Sequence, residues 1–276
     1  MKQANVYKID EKTYRFTEAA MGTEVYMYLL IGTKRALLID TAYGFTDVPA
    51  AIREITDLPL SVINTHGHLD HMHGNHMYNE VMISEKDDEV FQRHTDYEMM
   101  KALMMNIGLG AGLTEEQILA PELNLDGIVK AFPSHRIPLP EDMCIELGDR
   151  RIRIIETPGH TQGSICLLDE SNKRLFAGDT ACIDGVLLQF PESTDVYTFG
   201  ESIETLRKMA KAGEFDVIYP GHQDTPVTPE LLDVYKKGCE DLLAEDLSEE
   251  IRKSGTYDIN GRTKITFDPE KIRVDR

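Results

Sequence analysis

Short apolar runs predict strands in two parts of the chain. Between residues 5 and 40, the runs "NVYKID", "KTYRFT", "TEVYMYLLIG" and "KRALLID" are separated by turn residues. "PLSVINT" and "EVMISE" extend this group, and "MCIELG", "RIRIIET", "GSICLLDE", "KRLFAGD" and "FDVIYPG" form a second group. Runs of this length, rich in branched side chains and bounded by turn residues, are typical of strands.

A helical spacing of apolar positions separates these two groups. A shorter helix is predicted within the first group, where "TDVPAAIREIT" is capped by Thr46 or Asp47. A longer helical pattern runs from Ser84 to about Asn106. After the glycine-rich "GLGAGL", a capping box of Thr114 with Gln117 predicts a further helix.

The C-terminal part mixes both patterns. "ESIETLRKMAKAG" predicts a helix closed by Gly213, and "TPELLDVYKKGCEDLLAE" a helix capped by Thr228 with Pro229 at its first position. Asn260 and Gly261 predict a hairpin turn before "TKITF". We therefore expect an α/β fold, a single domain over 1–276, with a helical insertion at about 85–130.

Composition narrows the classes of partner. The 276-residue chain has a formal net charge of −19, which disfavours binding to a phosphate backbone. Its first residues, "MKQANVYKIDEKTYRF", resemble no signal peptide, and no apolar run reaches membrane-spanning length. We expect a cytoplasmic protein that binds neither nucleic acid nor membrane, with four unpaired cysteines.

The segment "NTHGHLDHMHGNH" carries the first chemical signal. His66, His68, Asp70 and His71 lie within six residues, directly after a predicted buried strand. Imidazole and carboxylate groups are the usual ligands of zinc and similar metals. Alternate residues of a loop can point the same way, so His66 and His68 are expected to bind one metal ion, with Asp70 and His71 facing a neighbouring position.

Three further ligand-type residues follow strands elsewhere. His160 stands in "ETPGHTQGS", Asp179 in "LFAGDT" and His222 in "YPGHQDTP". Open sheets place functional loops at the carboxyl ends of their strands, so a turn histidine or a capping aspartate is the weaker interpretation of each.

These motifs in this order resemble those of the metallo-β-lactamase-fold hydrolase superfamily. The resemblance rests on "ALLIDTAYG", "THGHLDH", "TPGHTQGS", "AGDT" and "PGH", and it covers about residues 20–225. It implies a four-layer αββα sandwich with the metal site along one edge of the sheets.

The resemblance also implies a ligand set. One metal takes His66, His68 and His160, the other takes Asp70, His71 and His222, and Asp179 bridges the two. Asp40 resembles an aspartate that orients ligands without binding metal. Two Zn²⁺ ions are the expected cofactors, with iron or manganese as alternatives.

The implied chemistry is hydrolysis of a small ester, lactone or thioester by a hydroxide bound to two metals. Asp70 is the expected proton shuttle, and Cys182 is expected to be a buried thiol rather than a nucleophile. Without a signal peptide, a secreted β-lactamase is disfavoured. Thr180, Ala181 and Cys182 follow Asp179 where the similar acyl-homoserine lactonases have a tyrosine shortly afterwards, and no clear basic cluster for glutathione follows His222.

Two other functions remain open at this level. One is a mononuclear iron dioxygenase of the persulfide dioxygenase type, which needs fewer ligands than this chain offers. The other is a non-catalytic, metal-stabilised binding protein, which an incomplete ligand set would have favoured.

Several features are left open by the sequence. The methionines of "YEMMKALMMNIGLGAGL" form either a packed helix face or a substrate lid hinged at its glycines. A structural role is favoured for His73 and His76, and His94 and His135 are left outside the site. "TKITF" either completes a sheet of its own chain or adds to that of a partner in a homodimer.

Overall fold

A computed structural model describes residues 3–118, 135–244 and 247–272. Residues 119–130 of the predicted insertion lie outside these ranges, and the single-domain boundaries stay a prediction.

The chain divides into two compact units, each with its own hydrophobic core. The first comprises Met1–Glu141 with Glu146–Arg150, and the second Asp142–Ile145 with Arg151–Arg276. Leu29, Leu38 and Val62 lie in the core of the first, and Leu168, Leu175 and Ile218 in that of the second.

A seven-stranded sheet forms the first unit, with its strands side by side in chain order. The strands are β1 (Asn5–Asp10), β2 (Thr13–Ala20), β3 (Thr23–Ile31), β4 (Ala36–Ile39), β5 (Leu60–Ile63), β6 (Glu80–Met82) and β7 (His135–Ile137). β1 to β4 pair antiparallel, whereas β4 to β7 pair parallel. The parallel pairs place the carboxyl ends of β4 and β5 at one sheet edge, where Asp40 and Asn64 follow them.

The helices of this unit begin at polar caps. They are α1 (Val48–Ile55), α2 (Leu69–Met72), α3 (Asp88–Thr95), α4 (Tyr97–Gly110) and α5 (Glu115–Ile118), with 3-10 turns at His73–Met77 and Glu85–Asp87. Asp47 caps α1 by accepting a hydrogen bond from Ala50 N, and Thr114 and Gln117 exchange both bonds of the predicted capping box.

The single helical pattern predicted from Ser84 to Asn106 is wrong in one respect. The helix breaks at Asp96, whose backbone is extended and whose carboxylate accepts from Met99 N. Apolar periodicity continues across this cap, and for that reason the pattern alone did not separate α3 from α4. Met100 and Met104 lie in the core of the first unit, which favours the packed-face interpretation, whereas Met99 is exposed.

The second unit contains two sheets. Its strands are β8 (Cys144–Glu146), β9 (Arg151–Glu156), β10 (Ile165–Asp169), β11 (Arg174–Gly178), β12 (Gly185–Leu188), β13 (Val217–Pro220), β14 (Thr256–Asp258) and β15 (Lys264–Phe267). One sheet has the order β13-β11-β10-β9-β8 and the other β12-β15-β14. β15, which carries most of "TKITF", lies between two strands of its own chain, and Asn260 accepts hydrogen bonds from Arg262 N and Thr263 N in the predicted hairpin turn.

The helices of the second unit are α6 (Val196–Lys211), α7 (Glu230–Leu243) and α8 (Glu249–Ser254), and Pro269–Lys271 forms a 3-10 turn. α6 begins five residues before the predicted Glu201, because Asp195 caps it through Thr198 N and Val196 is buried in the core.

Two other predictions for this unit need correction. α7 begins after Pro229 without a side-chain cap, so Thr228 does not cap it as predicted. β12 is a strand that the sequence did not predict, because it is short and its pairing partner β15 lies far along the chain. In the part of the chain that the structure describes, no helix has the length and hydrophobicity needed to cross a bilayer.

Candidate metal centre

In the first unit, Asp40 is the centre of a buried hydrogen-bond network. It follows β4 in a left-handed backbone conformation, with φ of 61°. Its carboxylate accepts from Thr65 N at 2.7 Å and Thr65 Oγ1 at 2.9 Å, and contacts His71 Nδ1 at 2.9 Å. Because His71 Nδ1 is engaged in this way, its Nε2 is the nitrogen left to act as a metal ligand.

Residues 64–76, which we call the histidine loop, include the short helix α2. Their backbone is held by hydrogen bonds to the His71 carbonyl oxygen. This oxygen accepts from Asn64 Nδ2 at 2.9 Å, from Thr41 N at 2.8 Å and from Thr41 Oγ1 at 3.2 Å. Asn75 joins the same network by donating to Asn64 Oδ1. A β-carbon on Gly74 would lie 2.2 Å from Thr41 O, so only glycine fits this approach of loop to strand end.

The predicted ligands of this unit lie close together. The ring centroids of His66 and His71 are 4.2 Å apart, and those of His66 and His68 are 4.8 Å apart. Asp70 Oδ2 is 3.8 Å from His71 Nε2, and its side chain is 22% exposed, whereas the three imidazoles are buried. His66 Nδ1 lies 3.1 Å from Thr65 Oγ1. The loop therefore presents three oriented imidazoles and one partly exposed carboxylate.

His94 lies closer to this group than the sequence indicated. Its ring stacks on that of His68 with the centroids 5.2 Å apart, and it is buried on α3. Asp87 is also buried and contacts the same loop through Gly67 N. Sequence reasoning missed both residues, although Asp87, Val90 and His94 share a helical spacing that places them on one face.

His73 and His76 have the structural roles favoured from the sequence. His73 is completely buried and its Nδ1 donates to Tyr43 O at 2.9 Å, while burial lowers its pKa to about 3. His76 Nδ1 donates to His73 O at 2.8 Å, and burial lowers its pKa as well. Both rings thus stabilise the loop as neutral groups.

In the second unit, three predicted ligands meet at Asp179. Its Oδ2 is 3.4 Å from His160 Nε2, and its Oδ1 is 3.4 Å from His222 Nε2. Strand pairing explains this arrangement, because Gly178 at the end of β11 lies opposite Pro220 at the end of β13. One carboxylate therefore faces two different imidazoles, one through each oxygen.

His160 is oriented from its other ring nitrogen. Nδ1 donates to Leu187 O at 2.7 Å, which directs Nε2 towards Asp179. Ser193 Oγ donates to the His160 carbonyl at 2.7 Å and holds the backbone of the turn. A β-carbon on Gly159 would lie 2.5 Å from the Phe199 ring, so the turn before His160 packs tightly on α6.

Cys182, three residues after Asp179, is a buried thiol. Its Sγ lies 3.6 Å from Gly178 O, and burial, followed by the charge of Asp179, raises its pKa well above the usual value. A thiol that stays protonated is a poor nucleophile, in agreement with the role expected for it.

The donor chemistry of both groups fits divalent metal ions. His66, His71 and His160 each engage the protein through Nδ1, which is the arrangement by which proteins orient imidazoles towards a metal. The carboxylates of Asp70 and Asp179 complete a nitrogen and oxygen donor set of the kind that zinc takes.

The mixed α/β fold carries buried or partly buried histidines and aspartates after its strands, as a metal-dependent enzyme would. The family model described as "Metallo-beta-lactamase superfamily" matches residues 21–222, which is more than half of the chain and includes all seven predicted ligands. The chain belongs to the metallo-β-lactamase superfamily, as the resemblance implied.

Similar proteins fall in the same superfamily. The chain is 26% identical over 233 residues to "Acyl-coenzyme A thioesterase MBLAC2" of Gallus gallus, covering 79% of this chain and 78% of that protein. It is 31% identical over 198 residues to a probable metallo-hydrolase of Methanocaldococcus jannaschii, covering 71% and 85%.

A solved structure supports the fold. A metallo-beta-lactamase family protein from Thermus thermophilus aligns with a TM-score of 0.59 and 21% identity, covering 86% of this chain and 83% of that one. The predicted fold class is confirmed, and the chain is a metal-dependent hydrolase of this superfamily.

Proposed function

We propose that this protein is a dinuclear zinc hydrolase that cleaves acyl thioesters, with coenzyme A as the leaving group. One metal would take His66, His68 and His160, and the other Asp70, His71 and His222, with Asp179 shared between them. The observation that carries the two-metal assignment is the position of Asp179, which turns a separate oxygen towards each of two imidazoles.

The thioester assignment is supported by the relatives. The chicken protein named as an acyl-coenzyme A thioesterase aligns over more than three quarters of both chains, which is too extensive for a shared metal motif alone. The human protein of the same name is 27% identical over 231 residues. Cleavage of a thioester also needs no cofactor beyond the metals and water.

The metal ions and Asp70 would have separate roles in the proposed hydrolysis. When bound, the two metal ions would supply a hydroxide at neutral pH and polarise the carbonyl oxygen of the substrate. Oxygen from water joins the acyl carbon, the carbon–sulfur bond breaks, and the products are a carboxylic acid and the thiol of coenzyme A. Asp70 is the proposed proton carrier, because it is the single carboxylate of the histidine loop and its side chain is 22% exposed.

Hydrogen bonds to the Nδ1 atoms of two proposed ligands also support a role in hydrolysis. Asp40 holds His71, and Leu187 O holds His160, so both imidazoles are fixed before substrate arrives. Fixed ligands lower the cost of reorganisation during the reaction. We also propose a cytoplasmic location, as expected from the sequence.

The decisive test is a substrate panel with metal-loaded protein. Acyl-coenzyme A esters of increasing chain length, a hydroxyacyl-glutathione, a lactone and a β-lactam would be compared by kcat/KM, with free thiol release as the signal for the thioesters. We expect the coenzyme A esters to give the highest values. A lactone or β-lactam with a higher kcat/KM would contradict the thioester assignment.

A matched pair of histidine variants would distinguish loss of the metal site from a general effect on folding. His160→Ala should abolish hydrolysis, whereas His135→Ala, at an exposed histidine outside both groups, should not. Oxygen-dependent turnover of a persulfide by iron-loaded protein would instead support the dioxygenase alternative. Inactivity across the panel with full metal loading would support a non-catalytic metal-binding protein.

A further inference from the structure

Two buried side chains from one segment hold the backbone on either side of His68. Asp87 Oδ2 accepts from Gly67 N at 2.8 Å, and His94 Nδ1 accepts from Leu69 N at 3.1 Å. Asp87 precedes α3 and His94 lies in its last turn. The backbone N–H groups of Gly67 and Leu69, the residues before and after His68, are therefore both bound to the same helical segment.

The imidazole of His94 also determines where the His68 ring lies. The two rings stack with centroids 5.2 Å apart and an interplanar angle of 17°. Because His94 Nδ1 accepts a backbone hydrogen bond, it carries no proton, and the neutral ring is protonated at Nε2. The Leu69 N–H that it accepts belongs to the first residue of α2, where helix donors lack partners within the helix.

The loop and the helix approach each other closely at Gly67. A β-carbon on Gly67 would lie 3.2 Å from Val90 Cβ and 3.3 Å from Asp87 Cβ. Glycine at this position lets the backbone reach Asp87, and the contact leaves little freedom for the loop to shift. Two hydrogen bonds, one ring stack and one close backbone approach thus converge on a single residue, His68.

We propose that Asp87 and His94 form a clamp that positions His68 as a metal ligand. The clamp is defined as these two side chains with the Gly67 and Leu69 amides that they accept. It rests on the proposed function, because it assumes that His68 binds metal. Asp87 and His94 are positioning residues, since they act through the backbone and ring of His68.

A purely structural role for His94 makes a different prediction from the clamp. If His94 only fills space on α3, an aromatic ring of similar size should replace it. If its role is to accept the Leu69 hydrogen bond, a small side chain with an oxygen at the same branch point should replace it better. His94→Phe keeps a ring without an acceptor, and His94→Asn keeps an acceptor on Cγ without the full ring.

The test compares these two variants with wild type as cobalt-loaded proteins. Cobalt affinity would be measured by competition with a chelator, and ligand geometry by the visible absorption of the bound ion. We expect His94→Phe to weaken metal binding about 10- to 100-fold, the usual loss when a group that orients a ligand is removed, and to change the spectrum. His94→Asn should restore most of the affinity and the wild-type spectrum.

Phe91→Leu is the matched control, because it loosens a buried contact on the same helix without touching the clamp. It should lower the free energy of unfolding of the metal-free protein and leave the cobalt spectrum unchanged. Wild-type affinity and spectrum in His94→Phe, or no advantage of His94→Asn over His94→Phe, would overturn the clamp alone. Failure of wild type to bind cobalt would overturn both the clamp and the proposed function.

Discussion

The two groups of candidate ligands are built in different ways. His66, His68, Asp70 and His71 lie on one loop, and their geometry follows from the backbone of that loop and its buried hydrogen bonds. His160, Asp179 and His222 come from three loops after three strands, and the pairing of β11 with β13 brings the last two together. The first group, called the loop group below, is therefore local in sequence. The second, the strand-end group, depends on the tertiary pairing of strands.

Because of this difference, the two groups should respond differently to substitution of a single residue. The loop group has many buried supports, so the loss of one support should weaken metal binding without abolishing it. The strand-end group converges on a single carboxylate, so one substitution at Asp179 should disrupt contacts to both His160 and His222.

Asp179→Asn should have the largest effect. An amide offers one acceptor oxygen in place of two, so it could not be shared between the two metals that we propose. We expect kcat/KM to fall by more than about 100-fold, beyond the usual loss for residues that only orient ligands, together with loss of bound metal. Activity and elemental analysis would be measured on the same preparation.

Asp169→Asn is its matched control, a buried aspartate at the end of β10 that caps its own turn through Asn172. This variant should have a lower free energy of unfolding than wild type but the same metal content. Full metal content in Asp179→Asn would show that this carboxylate is not the shared ligand.

Asp40→Asn should have an intermediate effect, because it removes a support and not a ligand. The amide cannot accept from Thr65 and His71 as the carboxylate does, so we expect metal affinity to fall about 10- to 100-fold. The free energy of unfolding should fall by about 1–3 kcal/mol. Chelator competition and urea denaturation would measure the two effects.

Asp47→Asn provides the comparison for Asp40→Asn. Asp47 caps α1 outside both groups, and asparagine is an equally good cap. Equal metal affinity in the Asp40 variant and wild type would contradict the supporting role of Asp40.

Glu18→Gln tests the buried support of the segment that follows Asp40. Glu18 Oε2 accepts from Phe45 N, Thr46 N and Thr46 Oγ1, and burial raises its pKa above the usual value of about 4.5 despite these bonds. The folded state therefore holds this proton to higher pH than the unfolded state, and stability falls as pH rises from about 4.5 through the folded-state pKa.

Glutamine does not titrate, so the free energy of unfolding of Glu18→Gln minus that of wild type should rise with pH from about 4.5 upwards. The rise is about 1.4 kcal/mol for each unit by which the pKa is raised. Urea denaturation at several pH values would measure it, with Glu11→Gln as the exposed control. If the difference stayed constant with pH, the pKa of Glu18 would not be raised in the folded state.

Cys182→Ala should have the smallest effect. The thiol is buried and its raised pKa keeps it protonated, so it contributes packing rather than chemistry. We expect the free energy of unfolding to change by about 1 kcal/mol and kcat to be retained. A loss of kcat comparable with that of Asp179→Asn would show that the strand-end group uses a thiol.

The sequence predicted the parts of the molecule whose signals are local. Strands β1 to β6, the Asp47 cap, the capping box at Thr114 and the Asn260 turn each depend on a few neighbouring residues, and the structure confirms them. β7 was not predicted from the sequence. The superfamily was identified for the same reason, because "THGHLDH" and the later short motifs stand out without knowledge of pairing.

Features that depend on tertiary packing were missed. The break at Asp96 lies within a continuous apolar pattern, and β12 is defined by a partner strand far along the chain. His94 was left outside the site because its contact with His68 arises only when α3 packs on the loop. A buried polar residue on the apolar face of a helix is the signal that would have drawn attention to it.

Metal content tests directly the proposal that the two groups of ligands bind two metal ions that share Asp179. It would be measured by elemental analysis of wild-type protein purified without chelator and without added metal. We predict about two zinc ions per chain, from the usual stoichiometry of two-metal hydrolase sites. About one iron per chain, or little metal with none taken up on titration, would contradict the account.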